Sequence, residues 1–223
     1  MKTQILKLSV IAVFGVLLMG CTKDFKEINT DPNRSADVPI TNILAYCIRN
    51  TCSTHFDPWA DMNEPSTYGG HLAKKQYIDE ARYVSRATVI LNNWTNLYRI
   101  LNNVRDIRDR AEAENLTNMA SVAKIWEAVI MQLGTDRWRD LPYSEAIQLE
   151  NGVVSPKYDT QEAIYTAPGG ILDNLNQGIA AINSYTGAQA LDGDILFNKN
   201  LSAWKTFAKS LQIKYLMRWS ITF

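Results

Sequence analysis

Between residues 94 and 111 apolar side chains return every three or four positions: Trp94, Leu97, Tyr98, Leu101, Val104, Ile107 and Ala111. That period lays them along one side of an α-helix and predicts a single buried face. Arg105, Asp106, Arg108 and Asp109 fall off the stripe and read as a solvated face with local ion pairs. A second stripe follows in Met119, Val122, Trp126, Val129, Ile130 and Leu133, and Gly134 stands where such a helix would stop. Two amphipathic helices so closely linked predict an antiparallel hairpin.

The rest of the pattern is more broken. Ile43, Leu44, Tyr46, Cys47 and Ile48 predict a short helix over residues 42–50. Residues 55–70 contain Pro58, Pro65, Gly69 and Gly70 and read as a long loop carrying Phe56, Trp59 and Tyr68. A polar, aromatic loop is predicted from Thr135 to Tyr143. Helical spacing resumes with Thr160 as a cap and continues to about Tyr185, broken at Pro168-Gly169-Gly170. The last helix starts near Ser202 and is apolar on more than one side through Trp204, Phe207, Leu211, Ile213, Leu216 and Trp219. It calls for neighbours around it, yet Phe223 follows with no cap, so the expectation is an incomplete domain. No strand pattern is present. The expected fold is all-α with paired helices and long loops, and Trp94, Trp126 and Trp204 are expected in its core.

The N-terminus sets the compartment. Lys2 and Lys7 precede a mainly apolar run from Leu8 to Met19, the layout of an export signal. As a helix the run spans about 18 Å, at roughly 1.5 Å per residue, short of the ~30 Å bilayer core. Leu18-Met19-Gly20-Cys21 then resembles a bacterial lipobox, predicting cleavage before Cys21 and acylation of that cysteine. Several acyl chains together anchor a protein durably. Residues 1–20 are thus expected to be a lipoprotein signal peptide and residues 21–40, rich in Asn, Asp and Pro, a lipid-anchored tether. Residues 41–223 remain for the helical domain.

Composition narrows the chemistry. Lys plus Arg and Asp plus Glu are equal at 23 each, so no basic surplus suits a nucleic-acid partner. Two histidines, His55 and His71, and three cysteines offer little for a transition-metal site, and no metal or cofactor is expected beyond the lipid on Cys21. Asp192-Gly193-Asp194 reads as a turn before a helix. Cys47 and Cys52 read as two buried thiols. No phosphate loop, nucleophile elbow or zinc-protease helix is found, and the spacing selects no pair of acids for glycosidase chemistry. A better lead is the aromatic set Trp59, Tyr68, His71 and Tyr77, interleaved with Asp57, Asp61 and Asn63. Flat rings stack on the C–H face of a sugar, and such polar neighbours bond its hydroxyls.

Three separated runs carry a family resemblance. They are Cys21-Thr-Lys-Asp-Phe-Lys-Glu-Ile-Asn-Thr-Asp-Pro-Asn33, then Asp140-Leu-Pro-Tyr-Ser-Glu-Ala146 with Pro156-Lys-Tyr-Asp-Thr-Gln-Glu-Ala-Ile-Tyr165, and finally Gly193-Asp194 with Trp204-Lys-Thr-Phe-Ala-Lys-Ser-Leu211. Together they resemble the SusD/RagB family of outer-membrane nutrient-binding lipoproteins. The resemblance implies tetratricopeptide-like helical hairpins and lipid anchoring at the outer surface. It also implies a TonB-dependent transporter as partner, to which glycans or oligopeptides are delivered, and no catalytic centre. Family members are longer, so an N-terminal portion is implied. Readings from other classes are a lipoprotein glycoside hydrolase and a helical scaffold lipoprotein that binds protein.

Overall fold

The computed structural model describes residues 38–222 except 57, 188 and 190. The expected signal peptide, the lipid site Cys21, most of the tether and Asp57 lie outside the described residues. Eight α-helices follow one another among the described residues: α1 (Ile40–His55), α2 (Pro58–Asn63), α3 (Pro65–Tyr68), α4 (Ala87–Ala113), α5 (Thr117–Trp138), α6 (Gln161–Thr166), α7 (Ile171–Ser184) and α8 (Leu201–Thr222). No strand is present among them. A lone antiparallel bridge joins Leu141 and Asp159, with backbone N···O distances of 3.2 and 3.1 Å.

The two long amphipathic stripes form the expected hairpin. Asn115 takes a left-handed conformation at φ 57°, tolerable for Asn. The following N–H, of Leu116, donates back to Ala111 O at 2.7 Å and closes the end of α4. Leu97, Leu101, Val104, Ile107 and Ala111 of α4 are buried, as the period predicts. Around α5 burial is nearly continuous, because α1, α4, α7 and α8 all pack on it. Trp126 and Trp204 meet edge to face at 6.1 Å, an arrangement that adds to area burial. Trp94 is half-buried, packing on Tyr98 and Trp138 at the margin of the core.

Several expectations change. Gly134 does not end α5, which runs on to Trp138. A Cβ there would come 2.8 Å from Leu97 Cδ2, so the glycine lets the hairpin partner approach closely. The expected loop over residues 55–70 holds two short helices, because Pro58 and Pro65 each occupy a first helical position where a missing N–H costs nothing. Residues 160–185 break as expected, α6 ending at Thr166 and α7 starting at Ile171. Thr160 Oγ1 accepts from Ala163 N at 3.2 Å, the expected cap. Helix α8 buries Trp204, Ala208, Leu211 and Tyr215 but leaves Ile213, Leu216 and Met217 exposed. No described element covers that side, so its neighbours are fewer than its composition predicts.

The two thiols separate. Cys47 is buried and Cys52 exposed, both free, correcting the expectation of two buried groups. Five helical positions turn the chain through about 500°, leaving Cys52 some 140° around α1 from Cys47. Burial, aided by the negative charge of Asp106, pushes the Cys47 thiol up to about 12, and a thiol is nucleophilic only as thiolate. Iodoacetamide at pH 8 is expected to label Cys52 in the folded chain and spare Cys47. Peptide mapping checks this, and equal labelling would contradict the burial of Cys47.

Candidate functional site

Two regions concentrate polar and aromatic groups. The first is built from α2, α3 and the segment that leads into α4. Ser66 Oγ donates to Asp61 at 2.5 Å and Thr67 Oγ1 to Met62 O at 2.6 Å, tying α3 to α2. Asn63 is buried; it donates to Trp59 O at 2.9 Å and accepts from Lys74 Nζ at 2.6 Å. Lys74 Nζ also reaches Glu80 Oε2 at 2.8 Å, and Arg86 Nη2 approaches the same oxygen at 3.2 Å.

Glu80 is only 1% exposed and opens a 3-10 turn, Glu80–Arg82. Burial alone would raise its pKa. The Lys74 hydrogen bond and the residue's own backbone N–H, with the charges of Lys74 and Arg86, outweigh burial and hold the carboxyl below its usual value.

On either side of that turn stand two tyrosines in left-handed backbone conformation, Tyr77 at φ 53° and Tyr83 at φ 58°. Both rings are thrust outward, 77% and 75% exposed. Neither stands alone. Arg86 donates to Tyr77 O at 3.3 Å, and its guanidinium lies 5.5 Å from the centre of the Tyr77 ring. Tyr83 stacks on Tyr68 with centroids 5.9 Å apart and planes inclined by 11°, and its hydroxyl donates to Tyr68 O at 3.3 Å. Each ring is backed on one face and open on the other.

Of the four aromatic candidates, Trp59 is 52% exposed on α2 and joined to this network through its carbonyl. Tyr77 is open. Tyr68 is half-buried behind Tyr83 and acts as its backing. His71 is exposed at the end of α3, where its backbone N–H donates to Ser66 O at 2.8 Å. Tyr83 lies outside the set that the sequence suggests. Its signal is its place beside Arg82 in a run already rich in Tyr and charge.

The second region is a groove of about 290 Å³ between the α4–α5 hairpin and the residues around Tyr143, Asp159 and Gly169. Here the expected face keeps exposed Asp109 and its local pair with Arg108 at 2.8 Å, but the two arginines also turn across the hairpin. Arg105 Nε pairs with Glu127 at 3.0 Å and Arg108 Nη1 at 2.9 Å, because α5 presents a buried carboxylate across the hairpin. Arg105 also donates to Ala146 O and Tyr143 O at 2.9 and 3.0 Å. The Tyr143 hydroxyl lies 3.1 Å from Glu127 and 2.6 Å from Gly169 O. Burial, then the Glu127 charge, raises the Tyr143 pKa well above its ordinary value, so the hydroxyl stays a donor. Asp159 accepts from the backbone of Tyr143 and Ser144 at 3.1 and 2.6 Å. The groove's carboxylates are committed to holding residues 140–146 and 156–165 on the hairpin.

Among the described residues no group of three His, Cys, Asp or Glu side chains could hold a metal ion. Asp192–Asp194 forms the expected turn, with Asp194 turned inward on backbone N–H groups and Trp204. No described helix is long and apolar enough to cross a membrane.

The sequence matches the SusD-like family described as starch-binding and associating with the outer membrane, over residues 32–222. The chain belongs to that family, whose members are binding proteins associated with the outer membrane. Among solved structures it is similar to a chitin-binding protein, at 26% identity and a TM-score of 0.68, the match covering 81% of this chain and 39% of that one. A SusD homologue from Bacteroides fragilis matches at 22% identity and a TM-score of 0.63, over 82% of this chain and 36% of the other. The chain thus spans less than two fifths of either relative's length. No curated protein matches it.

Proposed function

We propose that this chain is the lipid-anchored, surface-exposed binding component of a glycan-uptake system, delivering captured ligand to a TonB-dependent outer-membrane transporter. Oligopeptide is the other ligand class the resemblance allows. The observation that carries the glycan reading is the pair of braced, outward-facing rings at Tyr77 and Tyr83, with Trp59 on the adjoining helix. Exposed aromatic faces are unfavourably hydrated, and a sugar's C–H face covers them without a deep pocket. Membership of a family described as starch-binding, and similarity to a chitin-binding protein, support the same ligand class. Acylated Cys21 would supply the anchor.

The internally bonded state of Glu127 and Asp159 speaks against the glycosidase reading, since a general acid needs a carboxyl free to reach substrate. Pull-down of the lipidated chain from detergent-solubilised outer membranes of its host tests the delivery reading. A TonB-dependent barrel is the expected companion; a folded, lipidated chain that recovers none would overturn it.

A further inference from the structure

We infer that Glu80 is the positioning residue of Tyr77, its charge holding that ring, through Arg86, in the orientation that meets ligand. The inference rests on the glycan reading above and deepens it. Glu80 touches neither ring. It acts through Arg86, whose guanidinium is shared between this carboxylate at 3.2 Å, the more distant and exposed Asp79 at 3.9 Å, the Tyr77 carbonyl and the Tyr77 ring. On its other side it opens the 3-10 turn that ends at Tyr83, whose N–H donates to Glu80 O at 3.0 Å. One buried group therefore lies between both left-handed tyrosines, tied to Tyr77 through its charge and to Tyr83 only through its main chain.

The geometry makes the charge, rather than the side-chain shape, the operative feature. Lys74 and Arg86 converge on Oε2 alone, while the buried Oε1 has no hydrogen-bond partner among the described residues. A buried carboxylate held on one oxygen is a poor device for stability, since its desolvation is only partly offset. It is an effective device for orientation, because two cations from different segments, Lys74 and Arg86, must both point at one atom. Lys74 in turn reaches Asn63, which holds the carbonyl of Trp59. The same hub thus reaches the backbone of α2 at Trp59. A neutral amide at position 80 would turn an N–H donor or a weaker acceptor toward two cations, releasing Arg86 from its place over Tyr77.

The test combines a structural and a functional readout on the full chain. Nuclear Overhauser effects report Arg86–Tyr77 and Tyr68–Tyr83 proximity, with Trp126–Trp204 as a core control. Titration with chitin-derived and starch-derived oligosaccharides reports affinity. Glu80→Gln is expected to abolish the Arg86–Tyr77 signal, keep the Tyr68–Tyr83 and core signals and bind sugar about tenfold more weakly, a loss of the size one good interaction contributes. In a Tyr77→Ala/Tyr83→Ala background Glu80→Gln is expected to have no further effect, because a residue that acts through the rings has none without them.

An Arg86–Tyr77 signal and an affinity both unchanged in Glu80→Gln would overturn the inference, as would an additive loss in the double-alanine background. If Glu80→Gln abolishes the Arg86–Tyr77 signal while even the wild type binds none of the sugars, the positioning role is upheld and the glycan reading sinks. Should Glu80→Gln abolish the core signal as well, Arg86→Lys decides. It keeps the ion pair but lacks the planar fork, so the Arg86–Tyr77 signal should go while Tyr68–Tyr83 stays. Retention of ligand affinity and of Tyr77 ring order in that variant would refute the role.

Discussion

Glu127→Ala is expected to destabilise the chain by ~3–5 kcal/mol, the usual cost of removing one partner from a buried ion pair. Glu127 is 1% exposed, and its two oxygens are taken by Arg105 and Arg108 of α4, with the Tyr143 hydroxyl against the first. Without it, two guanidinium groups remain against α5 with no carboxylate between them. The damage spreads, because Arg105 also holds the carbonyls of Tyr143 and Ala146. Asn174 of α7 donates to the same Tyr143 hydroxyl at 3.0 Å. Small domains hold only about 5–15 kcal/mol in total, so the variant should lose a large part of its margin. Urea unfolding followed by circular dichroism checks this, with exposed Lys209→Ala on α8 as the control expected within about 0.5 kcal/mol of wild type. A Glu127→Ala variant that unfolds at the wild-type midpoint would show that the network does not support the hairpin.

Gly193→Ala is expected to cost at least ~2 kcal/mol. Gly193 sits at φ 84°, where an added Cβ alone costs ~1–2 kcal/mol. The Cβ would also overlap the Thr41 carbonyl in the first turn of α1, and backbone cannot rotate aside as a side chain can. The turn cannot shift without losing its other role. Asp194 follows directly and accepts from the N–H groups of Leu196, Phe197 and Lys199 at 2.9, 3.1 and 2.9 Å. It also takes the indole N–H of fully buried Trp204 at 2.9 Å. The variant should therefore melt earlier and lose near-UV signal from Trp204 together. An unchanged melting point would mean that the turn and α1 part freely.

The helical hairpin is legible in the sequence because its stripes repeat at the helical period over many turns, and burial of Leu97, Val104, Ile107, Val122 and Trp126 follows that period closely. Helices α2 and α3 are not, since six and four residues are too few to show a period. Gly134 misleads because a glycine inside a helix and one ending it look alike until Leu97 and Leu141 are known to press on it. The role of Arg105 and Arg108 is hidden for a related reason. Local spacing shows which residues share a face, but not that Glu127 of the next helix waits opposite.

In the aromatic segment, composition marks Trp59 and Tyr77 as exposed candidates, and both are. It cannot reveal that Tyr68 lies beneath Tyr83, or that Glu80 lies beneath the whole segment, because these depend on a turn with two left-handed residues.

On the proposed reading this chain captures glycan on the exposed rings of Tyr77 and Tyr83. Isothermal titration of chitin-derived and starch-derived oligosaccharides into the wild type and into Tyr77→Ala/Tyr83→Ala tests it most directly. Saturable binding of at least one series by the wild type is expected, with its loss in the double variant and the melting point of the chain preserved. Binding that survives removal of both rings, or a folded wild-type chain that takes up neither series, would contradict it.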